Sequence, residues 1–193
     1  WLTEHAASMA RPRGCARSND ATPFFQLHLT SPGSVSNLKV QPYSLSRMSQ
    51  LTSAEVELNV QAAGLNFRDV LNMLDLDPTR TVRPLGLECA AIVRRTGDLT
   101  EHIHTNQPTF GMALGCLASV ARTNFSFQAP KPVTHTFQEA STLPILWCTV
   151  RLALAEKTHL CSRQHLLIHA ATGGVGLVAL ELAQRTAAGI FGT

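Results

Sequence analysis

Residues 165–176 carry the spacing with the clearest chemical meaning: a strand, His165-Leu166-Leu167-Ile168-His169-Ala170, then the turn Ala171-Thr172-Gly173-Gly174-Val175-Gly176, then an apolar helix from Val175 to about Arg185. Laid on the pattern G-x-G-x-x-G, positions 171, 173 and 176 hold Ala, Gly and Gly. The chemistry implied is phosphate binding. Gly173 lets the backbone approach a pyrophosphate, and Gly176 lets the helix pack close to the strand. The first N–H groups of the helix add donors and a partial positive charge. Ala171 departs from the strict pattern, and a glycine-rich turn in an unrelated α/β protein would satisfy the same spacing. The acidic or basic residue that separates NAD from NADP follows about 20 positions on, at or beyond Thr193.

Other reactive residues point to less. His102 and His104 could ligate a metal, but no Cys or carboxylate pair accompanies them, and a solvated loop is the plainer reading. Cys15, Cys89, Cys116, Cys148 and Cys161 are odd in number, widely spaced and without a CxxC pair, as expected of free, mostly buried thiols in a reducing compartment. Thr136-Phe137-Gln138-Glu139 fits a helix capping box, which makes Glu139 a cap before it is an acid catalyst. His169 reads as a satisfied core histidine.

The elements that would position these residues follow from periodicity. Phe25, Leu27 and Leu29 alternate with Gln26 and His28, a strand that ends in the turn Ser31-Pro32-Gly33-Ser34. Val56-Glu57-Leu58-Asn59-Val60-Gln61 is the clearest half-buried strand. Phe67, Val70, Leu71 and Leu74 fall at i, i+3, i+4 and i+7 and predict a short amphipathic helix. Leu87 to Val93 predicts another strand, residues 98–135 short strands and loops, and Ile145 to Glu156 a helix behind Pro144. The first part is β-rich; the last begins a β-α-β unit.

Composition bounds the class. Of 193 residues 45% are hydrophobic and 15% charged, so a core is available and the composition argues against disorder. Lys and Arg number 16 against 13 Asp and Glu, a net charge of +3 spread along the chain, which is no nucleic-acid footprint. No apolar run approaches the roughly 18 residues of a membrane helix, and residues 1–20 lack the apolar stretch of a signal peptide, so a cytoplasmic location is expected. Residues 1–22 read as a linker or the tail of a preceding domain. The apolar run Ile190-Phe191-Gly192-Thr193 reads as the middle of a strand, which suggests a piece of something larger.

These motifs together carry a family resemblance. Ala62-Ala63-Gly64-Leu65-Asn66-Phe67-Arg68-Asp69-Val70-Leu71 and Ala170-Ala171-Thr172-Gly173-Gly174-Val175-Gly176-Leu177 resemble two signatures of the medium-chain dehydrogenase/reductase superfamily. Thr30-Ser31-Pro32-Gly33-Ser34-Val35-Ser36-Asn37-Leu38 is similar to the opening of enoyl reductase domains of polyketide synthases, and Leu143-Pro144 with Thr149 fits as well. The resemblance implies an α/β architecture: a GroES-like, partly closed β domain over residues 23–142, followed from 143 to 193 by the first β-α-β unit of an incomplete Rossmann domain. It implies NADP(H) as cofactor, held by Thr149, Ala171, Thr172, Gly173, Gly174, Val175 and Gly176.

The resemblance also implies the reaction. Zinc enzymes of the superfamily place a Cys just before Gly64 and a His just before Glu88; here Ala63 and Leu87 stand there, so no metal is expected and reduction of an activated double bond is favoured. Hydride would pass to the β-carbon of an α,β-unsaturated thioester on an acyl carrier protein. Asn66 and Arg68, at the helix start that faces the nicotinamide in similar proteins, would serve the enolate, or Asn66 and Asp69 would simply cap the helix. The family's proton-donating Lys and Asp would lie beyond Thr193. Asp77 stands ahead of Pro78 where related reductases carry a Tyr, and Tyr43 is no substitute. Partners would be the other synthase domains and, in the full protein, a second copy. A stand-alone quinone or enone reductase and a non-catalytic remnant of a synthase remain open alternatives.

Overall fold

The computed structural model describes residues 24–43, 50–77 and 83–193. The expected linker over residues 1–22, with Cys15, lies outside the described residues, as do Pro78 and the side chain of Tyr43. Strand β1 (Phe24–Leu29) pairs antiparallel with β2 (Leu38–Tyr43), and a single 3-10 turn at Val35–Asn37 joins the hairpin. Ser34 starts that turn by accepting a hydrogen bond from the Ser36 N–H, so the Ser-Pro-Gly-Ser segment makes the bend its residue types call for.

Five further strands build the main sheet: β3 (Glu55–Gly64), β4 (Glu88–Thr96), β5 (Pro108–Met112), β6 (Val120–Asn124) and β7 (Gln128–Pro130). Their order is β6-β3-β4-β5-β7, all antiparallel. β3 carries two register shifts against β4, between Glu57 and Leu58 and between Val60 and Ala62, which bend the strand around its core. That core holds Val56, Leu58, Cys89, Ala91, Val93, Ile103, Ala113, Cys116 and Ala121. Each fully buried Val or Leu there contributes about 1.5–3 kcal/mol.

The remaining elements are mostly helical. α1 (Phe67–Met73) follows β3; α2 (Phe137–Ser141) and α3 (Pro144–Val150) follow β7. The capping box at α2 is present in full: Thr136 Oγ1 accepts from the Glu139 N–H at 3.2 Å, and Glu139 Oε2 accepts from the Thr136 N–H at 2.8 Å. The helix expected from Ile145 to Glu156 is α3 only as far as Val150; over Arg151–Lys157 it widens to a π-type turn. Then β8 (His165–Ile168), α4 (Gly174–Arg185) and β9 (Gly189–Gly192) form a β-α-β unit, with β8 and β9 parallel in the register His165↔Gly189 to Ile168↔Gly192. A second apolar cluster joins α3, β8 and α4 through Val150, Ile168, Ala171, Val178 and Ala179.

Several residues depart from their expected places. In β3 the alternation holds for Asn59 and Gln61, but Glu57 is fully buried. Three arginines explain it: Arg94 donates to Oε1 at 2.9 Å, Arg95 to both oxygens at 3.1 and 2.9 Å, and Arg122 to Oε2 at 3.0 and 2.9 Å. Burial alone would raise the Glu57 pKa; the hydrogen bonds from Arg95 and Arg122 outweigh it and hold the carboxyl below its ordinary range. His169 is exposed and bonds through Nδ1 to Thr193 Oγ1 at 3.1 Å, because its face of the β8–β9 pair is open among the described residues. Of the four described cysteines, all free, Cys89 and Cys116 are buried and Cys148 and Cys161 exposed. The Cys116 thiol donates to the Glu88 carbonyl at 3.1 Å, and its Cys89 neighbour and burial keep it protonated.

Glu57 generates a prediction. Glu57→Gln keeps the volume but offers one carbonyl acceptor and turns N–H groups toward guanidinium groups, two of which are well exposed. The expected cost is about 2 kcal/mol, read as a lower urea midpoint at unchanged slope. Because the folded pKa is lowered, the carboxylate contributes stability above its unfolded pKa and loses it as pH falls. The wild-type advantage over Glu57→Gln should therefore shrink below about pH 4. Equal midpoints at neutral pH would show that the arginine cage does not hold the sheet.

Candidate functional site

The glycine-rich turn sits between β8 and α4. Ala170 leaves the strand with φ +54, a left-handed conformation strained for a residue with a Cβ. Its carbonyl accepts the Gly173 N–H at 3.0 Å and tightens the turn. A Cβ on Gly176 would lie 2.5 Å from the Ala170 oxygen and 2.7 Å from Ala171 Cα, so this glycine is required by the close approach of helix to turn. At Gly173 the situation differs: φ is −78, and a Cβ would meet only the Ala170 oxygen, at 3.4 Å. Nothing in the protein's own packing requires glycine there. Gly173 is the N-cap of α4, and no side chain caps the helix, which leaves its first N–H groups facing outward. Ala171 and Gly176 are buried, whereas Thr172, Gly173, Gly174 and Val175 form an exposed lip.

α3 leans on that lip. A Cβ at Gly174 would come within 3.0 Å of Leu146 Cδ1, so Leu146 packs directly over the turn. Thr149 lies one turn further along α3 on the same side and is exposed.

Asn66 and Arg68 open α1, whose buried face is polar. The apolar stripe Phe67, Val70, Leu71 and Leu74 is not the buried one: Phe67 is 75% exposed, while Asp69 and Asn72 are buried. The reason is the chain running into β4. Asp69 Oδ1 accepts the Gly86 N–H at 2.8 Å, Asp69 Oδ2 accepts the Asn66 N–H at 3.1 Å, and Asn72 Nδ2 donates to the Arg83 carbonyl at 2.8 Å. These bonds satisfy backbone groups that an apolar face would leave unpaired. Asn66 takes the extended N-cap conformation, φ −99 and ψ 148, and forms the expected capping box with Asp69, while its amide nitrogen donates to Glu88.

Glu88, buried in β4, was not among the residues singled out by motif. Its Oε1 accepts from Asn66 Nδ2 at 3.0 Å and its Oε2 from the Ile145 N–H of α3 at 2.8 Å. Gly64 makes room: a Cβ there would lie 2.6 Å from Glu88 Oε1. Burial pushes the Glu88 pKa up, opposed by the two hydrogen bonds and reinforced by the nearby Asp69. The available signal was a single acid inside the apolar run Leu87–Val93, which must find partners or stay out of the core. Arg68 forms an ion pair with Asp77, Nε to Oδ2 at 3.8 Å, with Arg68 about half exposed and Asp77 buried.

Two clefts lie elsewhere, one of about 320 Å³ beside β1 and one of about 520 Å³ between β5, β7 and α3; neither is lined by Asn66 or the glycine turn. His102 and His104 are exposed on either side of buried Ile103. No helix among the described residues is long and apolar enough to cross a membrane.

With this geometry in hand, comparison with known proteins is informative. No family model matches the chain. A probable polyketide synthase of Dictyostelium discoideum is 36% identical over 143 residues, 70% of this chain and 4% of that protein. A highly reducing polyketide synthase of Purpureocillium lilacinum is 31% identical over 194 residues, covering 100% of this chain and 7% of that protein. The crystal structure of the CurK enoyl reductase superposes with a TM-score of 0.80 at 32% identity, over 88% of this chain and 54% of that one. The chain is thus similar in sequence to polyketide synthases and in both sequence and fold to an enoyl reductase. It spans about half the length of the reductase structure and a small part of each synthase. The α/β fold, a sheet-rich region followed by a β-α-β unit, is that of the medium-chain reductases with their GroES-like domains, present in part.

The two glycines predict different outcomes. Gly176→Ala should cost about 1–3 kcal/mol by overpacking, read as a lower melting temperature. Gly173→Ala should leave the melting temperature within a degree or two, since its added methyl makes only an ordinary contact. Equal losses would mean that both positions serve packing.

Proposed function

We propose that the full-length domain is an NADPH-dependent enoyl reductase of a polyketide synthase, reducing the α,β double bond of an acyl thioester delivered by an acyl carrier protein domain. Residues 23–142 form most of the substrate part, and 143 onward begins the nucleotide part, of a domain that works as a homodimer in the cytoplasm. The observation that carries this reading is the turn at Gly173: an uncapped helix N-terminus with two adjacent exposed glycines on its lip, in a chain whose relatives include highly reducing polyketide synthases.

NADPH, when bound, supplies the hydride for the β-carbon. The chain's own residues hold and orient. Thr172, Gly173, Gly174 and Val175 offer backbone to the pyrophosphate, Ala171 and Gly176 set the closeness of strand and helix, and Thr149 borders the cofactor from α3. As hydride arrives, negative charge collects on the thioester oxygen, which becomes an enolate. Asn66 offers its second amide N–H there, and Arg68, held toward Asp77, adds positive charge. A proton delivered to the α-carbon completes the saturated thioester. Asp77 supplies no phenolic hydrogen where related domains carry a tyrosine, so the facial choice of that proton rests on other groups.

The test is titration of NADPH into the full-length domain, followed by NADPH oxidation at 340 nm with a short enoyl thioester. Saturable binding and thioester-dependent oxidation are expected. Gly173→Ala should weaken NADPH at least about tenfold at unchanged melting temperature, because its methyl stands where the pyrophosphate approaches. No detectable binding by the folded wild-type domain would overturn the reading.

A further inference from the structure

We infer that Glu88 is a positioning residue that fixes the Asn66 amide and locks it to the helix covering the nucleotide turn. The inference rests on the enoyl reductase reading above and on Asn66 as its enolate donor. Glu88 is 4% exposed and has two hydrogen-bonded partners in different parts of the chain. Asn66 lies on the β3–α1 connection, 22 residues before it, and Ile145 on α3, 57 residues after it. A carboxylate is an acceptor only, so it settles which way round the Asn66 amide lies: Nδ2 toward Glu88.

The same carboxylate holds Ile145, whose neighbour Leu146 rests over Gly174. One buried group therefore connects the proposed enolate donor to the wall of the cofactor turn through Asn66, Glu88, Ile145, Leu146 and Gly174. Gly64 is part of the device. Its missing Cβ leaves room for Oε1 beside the strand and for α2 above it, since a methyl there would overlap Oε1 at 2.6 Å, Cγ at 2.7 Å and the Ser141 carbonyl oxygen at 2.7 Å. Glu88 touches neither substrate nor cofactor and acts through Asn66.

Three changes in the full-length domain test this: Glu88→Gln, Asn66→Ala and the double variant. Glutamine keeps the shape but has one acceptor for two donors, so the Asn66 amide must turn over or lose its bond. Glu88→Gln should lower kcat about tenfold or more while the NADPH dissociation constant stays within about twofold. In the Asn66→Ala background the same change should lower kcat by less than about twofold, because a residue that works through Asn66 has nothing left to position. Independent losses that multiply in the double variant would overturn the inference, as would a Glu88→Gln enzyme with wild-type kcat.

A readout without turnover keeps the two proposals separable. In the wild-type domain the Asn66 side-chain N–H facing the carboxylate should resonate downfield and exchange slowly by NMR, and Gly64→Ala should abolish both features by displacing Glu88. An Asn66 amide that behaves like a free surface amide would overturn the positioning role even if the domain is an active reductase. Failure to bind NADPH with the protected amide present would instead sink only the functional reading.

Discussion

A buried carboxylate at each end of one strand pair organises this molecule. β3 and β4 run antiparallel from Val56↔Thr96 to Gly64↔Glu88, with Glu57 at one end and Glu88 at the other. An ionised carboxylate cannot stay in a core unless donors surround it, so each dictates what is built around it. At Glu57 the donors are guanidinium groups on β4 and β6, which tie three adjacent strands together. At Glu88 they are an amide side chain and a backbone N–H, weaker partners that leave the acid with its pKa raised. The first end is a staple; the second is a joint between the sheet, the start of α1 and the start of α3.

The sequence made local features legible and long-range ones opaque. The capping box at Thr136–Glu139 and the turn at Gly173–Gly176 are built from residues within a few positions of each other, so spacing suffices to find them. The burial of Glu57 and Glu88 depends on Arg122 and Ile145, 65 and 57 residues away, which no periodicity records. α1 shows the same limit in another form. Its apolar stripe is real in sequence, yet the chain around Arg83 and Gly86 needs polar partners more than apolar ones, and Asp69 and Asn72 face inward. The expected core placement of His169 failed because the face of β8 that it shares with Leu167 is open among the described residues.

Resemblance carried the fold further than pattern alone did. Four short segments in order point to a medium-chain reductase, and the superposition on the CurK enoyl reductase bears that out over 88% of the chain. The same resemblance says nothing about how the segments meet. That Leu146 rests over Gly174 while its neighbour Ile145 bonds to Glu88 is visible only in three dimensions.

On the enoyl reductase reading, the two proposed enolate donors are not equivalent, and the difference is physical. Asn66 is half-buried and fixed by a 3.0 Å hydrogen bond to a carboxylate, so little reorganisation remains when charge develops beside it. Arg68 carries the full charge but is about half exposed, and its ion pair with Asp77 is long, 3.8 Å. Pairs of that kind are screened by water and hold their geometry weakly. Asn66 is therefore suited to a donor fixed before the reaction, and Arg68 to a source of field that tolerates motion. Asp77 differs from a tyrosine at this place in carrying the charge that pairs with the guanidinium, at 3.8 Å. A tyrosine at position 77 would add a phenolic proton and release Arg68 from its partner, so the gain of one group would come with the loosening of the other.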